Sequence, residues 1–141
     1  MANTPEEFEA AYAFKKAALG PHVIPRWGWD DAEQRAIMQE KWRAKTFFRI
    51  VREDETVGTI ALDEHRDHIR LSEFYIAPRF QGQGIGTHVL EPILRDADEK
   101  RTPIRLECLK WNPAFSLYRR HGFRVVRETD VHYVMERPPG G

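Results

Sequence analysis

From Ile76 to Thr87 the chain reads Ile-Ala-Pro-Arg-Phe-Gln-Gly-Gln-Gly-Ile-Gly-Thr. A β-rich run, Ile69–Ile76, enters this glycine-dense turn and a helical pattern leaves it. Strand, glycine loop, helix is a layout in which several backbone N–H groups point at one anion. Glycine suits it because a Cβ would hold a phosphate off the backbone, and because glycine tolerates positive φ. The helix start adds unpaired N–H groups and about half a positive charge. The residues at stake are Gln81, Gly82, Gln83, Gly84, Ile85, Gly86 and Thr87, and the chemistry is a cradle of diphosphate size. The plain alternative is an ordinary glycine-rich turn between a strand and a helix.

Spacing separates the known cradles. A Walker loop ends in Gly-Lys-Ser/Thr, whereas Gly86 is followed by Thr87-His88. A dinucleotide fingerprint needs a small residue where Thr87 or Val89 stands, so both registers fail. Gln81-x-x-Gly84-x-Gly86, directly after a strand ending in Ile-Ala-Pro, resembles the acetyl-CoA-binding motif of the GNAT superfamily of N-acyltransferases. A second stretch, Asn112-Pro113-Ala114-Phe115-Ser116-Leu117-Tyr118-Arg119-Arg120-His121-Gly122-Phe123, is similar to a segment of many GNAT enzymes. The resemblance covers residues 45–137, and its motif-bearing core is Ile69 to Phe123.

The resemblance implies roles. Gln81–Thr87 would hold the diphosphate of acetyl-CoA, with Asn112 at a helix start facing the cofactor. The backbone of Tyr75, Ile76 and Ala77 would pair with the pantetheine arm, and the strand Ile69–Ile76 would splay from the following parallel strand, Ile104–Leu109, to admit the thioester. Tyr118 would protonate the departing thiolate, a step suited to a phenol of pKa about 10. The bare alternative makes Tyr118 a core aromatic and Asn112 only a cap. Glu73, on the strand beside the thioester, is the first candidate for a general base; equally it reads as a sheet-surface carboxylate paired with Arg70 or Arg105. His65, His68 and His88 are further candidates, and His121 fits a dipole-complementing place near a helix end. Trp27, Trp29 and Asp30 lie where the family places a loop over the acceptor pocket. Their rings could attract an amine by cation–π contact, or plug the core while Asp30 caps a helix. Cys108 reads as a small core residue.

The implied reaction is transfer of an acetyl or short acyl group from acetyl-CoA to a primary amine in a ternary complex. A non-catalytic acyl-CoA sensor is the alternative. No metal is called for. Dimers are common in the family.

Composition narrows the setting. Twenty-two basic and 22 acidic residues cancel, which argues against a general nucleic-acid binder. One cysteine allows neither an internal disulfide nor a thiolate zinc cluster. No apolar run approaches the roughly 18 residues of a membrane span. The acidic N-terminus lacks a signal-peptide pattern. A cytoplasmic, single-domain protein is the expectation at 141 residues.

The elements that must position these residues follow from periodicity. Residues 5–19 read as a helix capped by Thr4 and stopped at Gly20-Pro21, followed by an irregular segment, His22 to Trp29. Asp30 and Glu33 open a second helix to about Arg43. Thr46–Arg52 and Thr56–Leu62 form a hairpin, and a turn at His65-Arg66-Asp67 leads into Ile69–Ile76. The helix after the glycine loop carries Ile85, Val89, Leu90, Ile93, Leu94 and Ala97 on one face, with Pro92 inside. Ile104–Leu109 is a strand, Asn112-Pro113 opens a short helix closed by Gly122, and Phe123–Thr129 and Val131–Arg137 pair. The fold class expected is α/β of the GNAT kind: a mixed, mostly antiparallel sheet flanked by helices. The family's first strand is expected to be absent or vestigial.

Overall fold

The computed structural model describes residues 4–110, 112 and 114–139, without the side chains of His22, Arg26 and Trp27. The elements run α1 (Pro5–Trp27), α2 (Asp31–Ala44), β1 (Phe47–Arg52), β2 (Glu55–Glu64), β3 (Ile69–Ile76), a 3₁₀ turn (Pro78–Phe80), α3 (Ile85–Glu99), β4 (Ile104–Leu109), α4 (Ala114–Arg120), β5 (Arg124–Glu128) and β6 (His132–Arg137). Strand order is β1-β2-β3-β4-β6-β5. The β3–β4 pair is parallel, whereas β1–β2, β4–β6 and β5–β6 are antiparallel. This is the mixed, mostly antiparallel sheet flanked by helices that the sequence predicts. Among the described residues the first strand is β1, after two helices. The chain divides into two compact units, Met1–Leu62 with Glu73–Gln83, and Asp63–Ser72 with Gly84–Gly141.

The first unit holds α1, α2, β1, most of β2 and the end of β3. Thr4 and Glu7 close a reciprocal capping box on α1, at 3.2 and 3.1 Å. The expected stop at Gly20-Pro21 does not occur: α1 continues to Trp27 with Pro21 and Pro25 inside it, and Gly28 ends it at φ +73°. A proline removes a donor to the carbonyl four residues back. At a spacing of four the two losses stack on one side of the helix, so the other rows of bonds persist. The segment expected to be irregular is therefore helical through Trp27. Phe8, Ala11, Tyr12, Met38, Phe47 and Ala61 make the core, with Trp29 and Trp42 packed against it. The β1–β2 turn places Glu53 and Asp54 at φ +52° and +66°, the primed geometry that matches strand twist.

Gly58 on β2 allows a close approach. A Cβ there would lie 2.1 Å from the Tyr75 carbonyl oxygen, so only glycine lets β3 come this near. The amide of Ala77 donates to the Val57 carbonyl at 2.9 Å, fixing the end of β3 against β2.

The second unit holds the start of β3, then α3, β4, α4, β5 and β6. Ile69, Arg70 and Leu71 pair with Ile104, Arg105 and Leu106. Ile85, Leu90, Leu94 and Ala97 of α3 are buried, as the apolar stripe requires, while Val89 and Ile93 are half-buried. The helix runs on through Pro92. Ile104, Leu106 and Cys108 alternate inward from β4. Asn112 Oδ1 accepts the Ala114 N–H at 2.9 Å, the expected cap of α4. Pro113, expected as the first residue of that helix, lies outside the described residues.

Candidate active site

The helices α1, α2 and α3 begin in different ways. α1 and α2 are capped by the side chains of Thr4 and Asp30, and each has two acidic residues in its first turn. α3 has neither a side-chain cap nor an acidic first turn. Its N-cap, Gly84, sits at φ +80°, ψ 4°, and Gly82 at φ +77°. Among the described residues nothing accepts a hydrogen bond from the amides of Gly82, Gln83, Gly84, Ile85, Gly86 or Thr87. A Cβ on Gly82 or Gly84 would meet no protein atom within 4 Å, so space is not what demands glycine there; the left-handed backbone is. The turn offers a row of donors and an uncompensated dipole, an arrangement that attracts an anion.

The neighbouring side chains brace the turn. Gln81 Nε2 donates to the Ile76 carbonyl at 2.9 Å, and Gln83 Nε2 to the Arg79 carbonyl at 3.0 Å. Arg52 donates to Gln83 Oε1. The Gln81 amide is spent on the Pro78 carbonyl at 3.1 Å, so the run of open amides starts one residue later than the motif suggests.

Glu73 is buried, contrary to its reading as a sheet-surface carboxylate beside Arg70 or Arg105. Those arginines reach Glu107 at 3.9 Å and Glu136 at 2.9 Å instead. Glu73 Oε1 accepts from Lys15 at 3.1 Å and from Lys41 at 3.3 Å, and Oε2 from the Tyr75 hydroxyl at 2.9 Å. A carboxylate offers about four acceptor positions. Three are used by described partners, which leaves one on Oε2. Burial pushes the Lys15 ammonium below its ordinary range; the Glu73 carboxylate opposes the shift and the like charge of Lys41 adds to it. Sequence reasoning missed Lys15 and Lys41 as partners. The signal was a lysine on the apolar stripe of α1, a place that demands a buried counter-charge.

At the junction of α1 and α2, Asp30 takes the capping role, accepting the Glu33 amide at 3.1 Å. Trp29 Nε1 donates to Tyr12 Oη and to Asp31 Oδ1, both at 3.0 Å, and its ring packs on the core. The Trp27 side chain lies outside the description. In the second unit, Tyr118 is buried at 5% exposure and its ring is tilted against Phe123, centroids 5.6 Å apart. Thr87 Oγ1 and His121 Nε2 are 3.4 Å apart, linking the first turn of α3 to the residue that follows α4. His65 and His68 stack at 4.7 Å, and His68 Nδ1 lies 2.8 Å from Asp67. Burial pushes the Cys108 thiol up to about 12, so it holds no thiolate at neutral pH.

The sequence profile of the acetyltransferase (GNAT) family matches residues 11–123, and the chain belongs to that family. Family membership supports an acyltransferase that draws on acetyl-CoA. Solved structures agree in fold. PaiA N-acetyltransferase of Thermoplasma acidophilum, in complex with coenzyme A, superposes at TM-score 0.76 with 17% identity, over 98% of this chain and 96% of that one. PH1933 of Pyrococcus horikoshii gives 0.79 with 21% identity, over 100% and 96%. A GNAT acetyltransferase of Elizabethkingia anophelis with acetyl-CoA bound gives 0.62 with 14% identity, over 73% and 82%. No described helix is long and apolar enough to cross a membrane.

Proposed function

We propose that this protein transfers an acetyl or short acyl group from acetyl-CoA to a primary amine by direct attack. The observation that carries the reading is the uncapped, uncompensated start of α3 behind two left-handed glycines. The amides of Gly82–Thr87 take the diphosphate of CoA, and the backbone of Tyr75 and Ile76 pairs with the pantetheine arm; Ala77, expected to join them, is spent within the protein, its N–H donating to the Val57 carbonyl and its carbonyl accepting from the Phe80 amide. Asn112 keeps the start of α4 in shape toward the cofactor. The acceptor is met by Glu73 and by Trp27, Trp29 and Asp30 near the first two helices.

The amine nitrogen attacks the thioester carbonyl carbon, so a C–N bond forms and the C–S bond breaks. The amine proton passes to Glu73, directly or through water, and the leaving thiolate takes the Tyr118 hydroxyl proton. A main-chain N–H near Ile76 stabilises the oxyanion, typically by a few kcal/mol.

A thiol-release assay with acetyl-CoA and an amine panel tests this. Tyr118→Phe is expected to lower kcat about 100-fold or more, with KM for acetyl-CoA within about threefold. Unchanged kcat in Tyr118→Phe would remove the tyrosine from the mechanism. Binding of acetyl-CoA with no thiol released by any amine would favour the sensor.

A further inference from the structure

The Glu73 cluster is richer in charge than a general base needs. Lys15 and Lys41 both reach its Oε1, at 3.1 and 3.3 Å, so two ammonium groups share one carboxylate. Among the described residues neither lysine has another carboxylate within ion-pair distance. With both lysines protonated, the cluster holds one unbalanced positive charge. Lys15 and Glu73 are sealed, at 6% and 4% side-chain exposure, whereas Lys41 is 35% exposed. Lys41 is thus the open end of the cluster, with donors to spare, since an ammonium carries three. In the same unit the Thr59 hydroxyl, on a residue only 2% exposed, has no partner among the described residues. Thr59 stands two residues along β2 from Val57, whose carbonyl takes the Ala77 amide, so it shares the Val57 face of the strand.

We propose that the acceptor carries a carboxylate beside its amine, and that Lys41 is the side chain that receives it. The inference rests on the transfer reaction above and narrows its acceptor class. A carboxylate on Lys41 neutralises the surplus charge of the cluster. The same surplus repels acceptors that carry several positive charges and no carboxylate. α-Amino acids fit both conditions; polyamines fit neither.

The test uses matched acceptors that differ by the carboxylate: L-phenylalanine against phenethylamine, L-leucine against isoamylamine, and L-lysine against cadaverine. Thiol release gives kcat/KM for each. A charge-assisted hydrogen bond predicts a preference of about tenfold to a hundredfold for the carboxylate-bearing member of at least one pair. Lys41→Met should bring that ratio near one, and Lys41→Arg should restore part of it. The wild-type ratio stands even if a variant does not fold. Amines acetylated with no such preference, or a preference untouched in folded Lys41→Met, would overturn the acceptor assignment alone. No thiol release with any acceptor would overturn the transfer reaction and this inference with it.

Discussion

Replacing Gly84 with alanine separates what the turn costs to fold from what it does. Gly84 is at φ +80°, ψ 4°, a left-handed conformation that costs an L-residue about 1–2 kcal/mol. The new methyl would meet no protein atom within 4 Å, so no clash adds to that strain. For a chain of this size the loss should lower Tm by about 3–7 °C. The CoA affinity should fall further than stability explains, because the methyl stands on the open side of the amide row. Forfeiting one charge-assisted hydrogen bond to the diphosphate, about 1.5–3 kcal/mol, weakens Kd about tenfold to a hundredfold. Gly28→Ala is the control. Gly28 has φ +73°, ψ −173° and open space, so its strain is at least as large, yet it ends α1 and holds no anion. Calorimetric titration with coenzyme A, paired with thermal melts, reads both quantities. If Gly84→Ala and Gly28→Ala bind coenzyme A equally well, the amide cradle is wrong.

Two further substitutions follow from the same geometry. Gly58→Ala forces a Cβ to within 2.1 Å of the Tyr75 carbonyl oxygen and should cost about 3 kcal/mol or more, seen as a lowered urea midpoint; a midpoint close to wild type would mean that β2 and β3 can part without harm. Asp31 accepts hydrogen bonds from Tyr12 at 2.6 Å and Lys16 at 3.0 Å, which hold its carboxyl at about 2, below the ordinary 3.8. A depressed carboxylate adds stability above its unfolded pKa and loses it as pH falls through its folded one. Asp31→Asn should therefore melt below wild type at pH 7, and the difference should close between about pH 4 and pH 2. A difference that is the same at every pH would show that the ionised carboxylate contributes nothing.

The parts legible in the sequence were those fixed by local rules. Alternating Val/Ile-type residues bounded by turns gave β3 and β4 their limits, and Thr4, Asp30 and Asn112 cap the helices that their residue types announce. Local rules failed where tertiary packing overrode them. Gly20-Pro21 signals a stop, yet α1, anchored by Phe8, Tyr12 and Leu19, continues to Trp27. The partners of Glu73 were out of reach for a different reason: Lys15 and Lys41 lie 58 and 32 residues away along the chain. Gly58 was equally silent, because its role is a close approach by another strand rather than a turn. The glycine motif was legible as a whole, but the spending of the Gln81 amide on Pro78 is a detail of the 3₁₀ turn that spacing does not encode.

The central claim is that main-chain amides, and not a lysine or a metal, grip the diphosphate of coenzyme A. Amide ¹H–¹⁵N spectra recorded during titration with coenzyme A test it at each residue. The account predicts that the largest shifts fall on Gly82 through Thr87, with smaller ones at Tyr75 and Ile76. Shifts concentrated elsewhere with those signals unmoved, or no shifts at saturating coenzyme A, would contradict it.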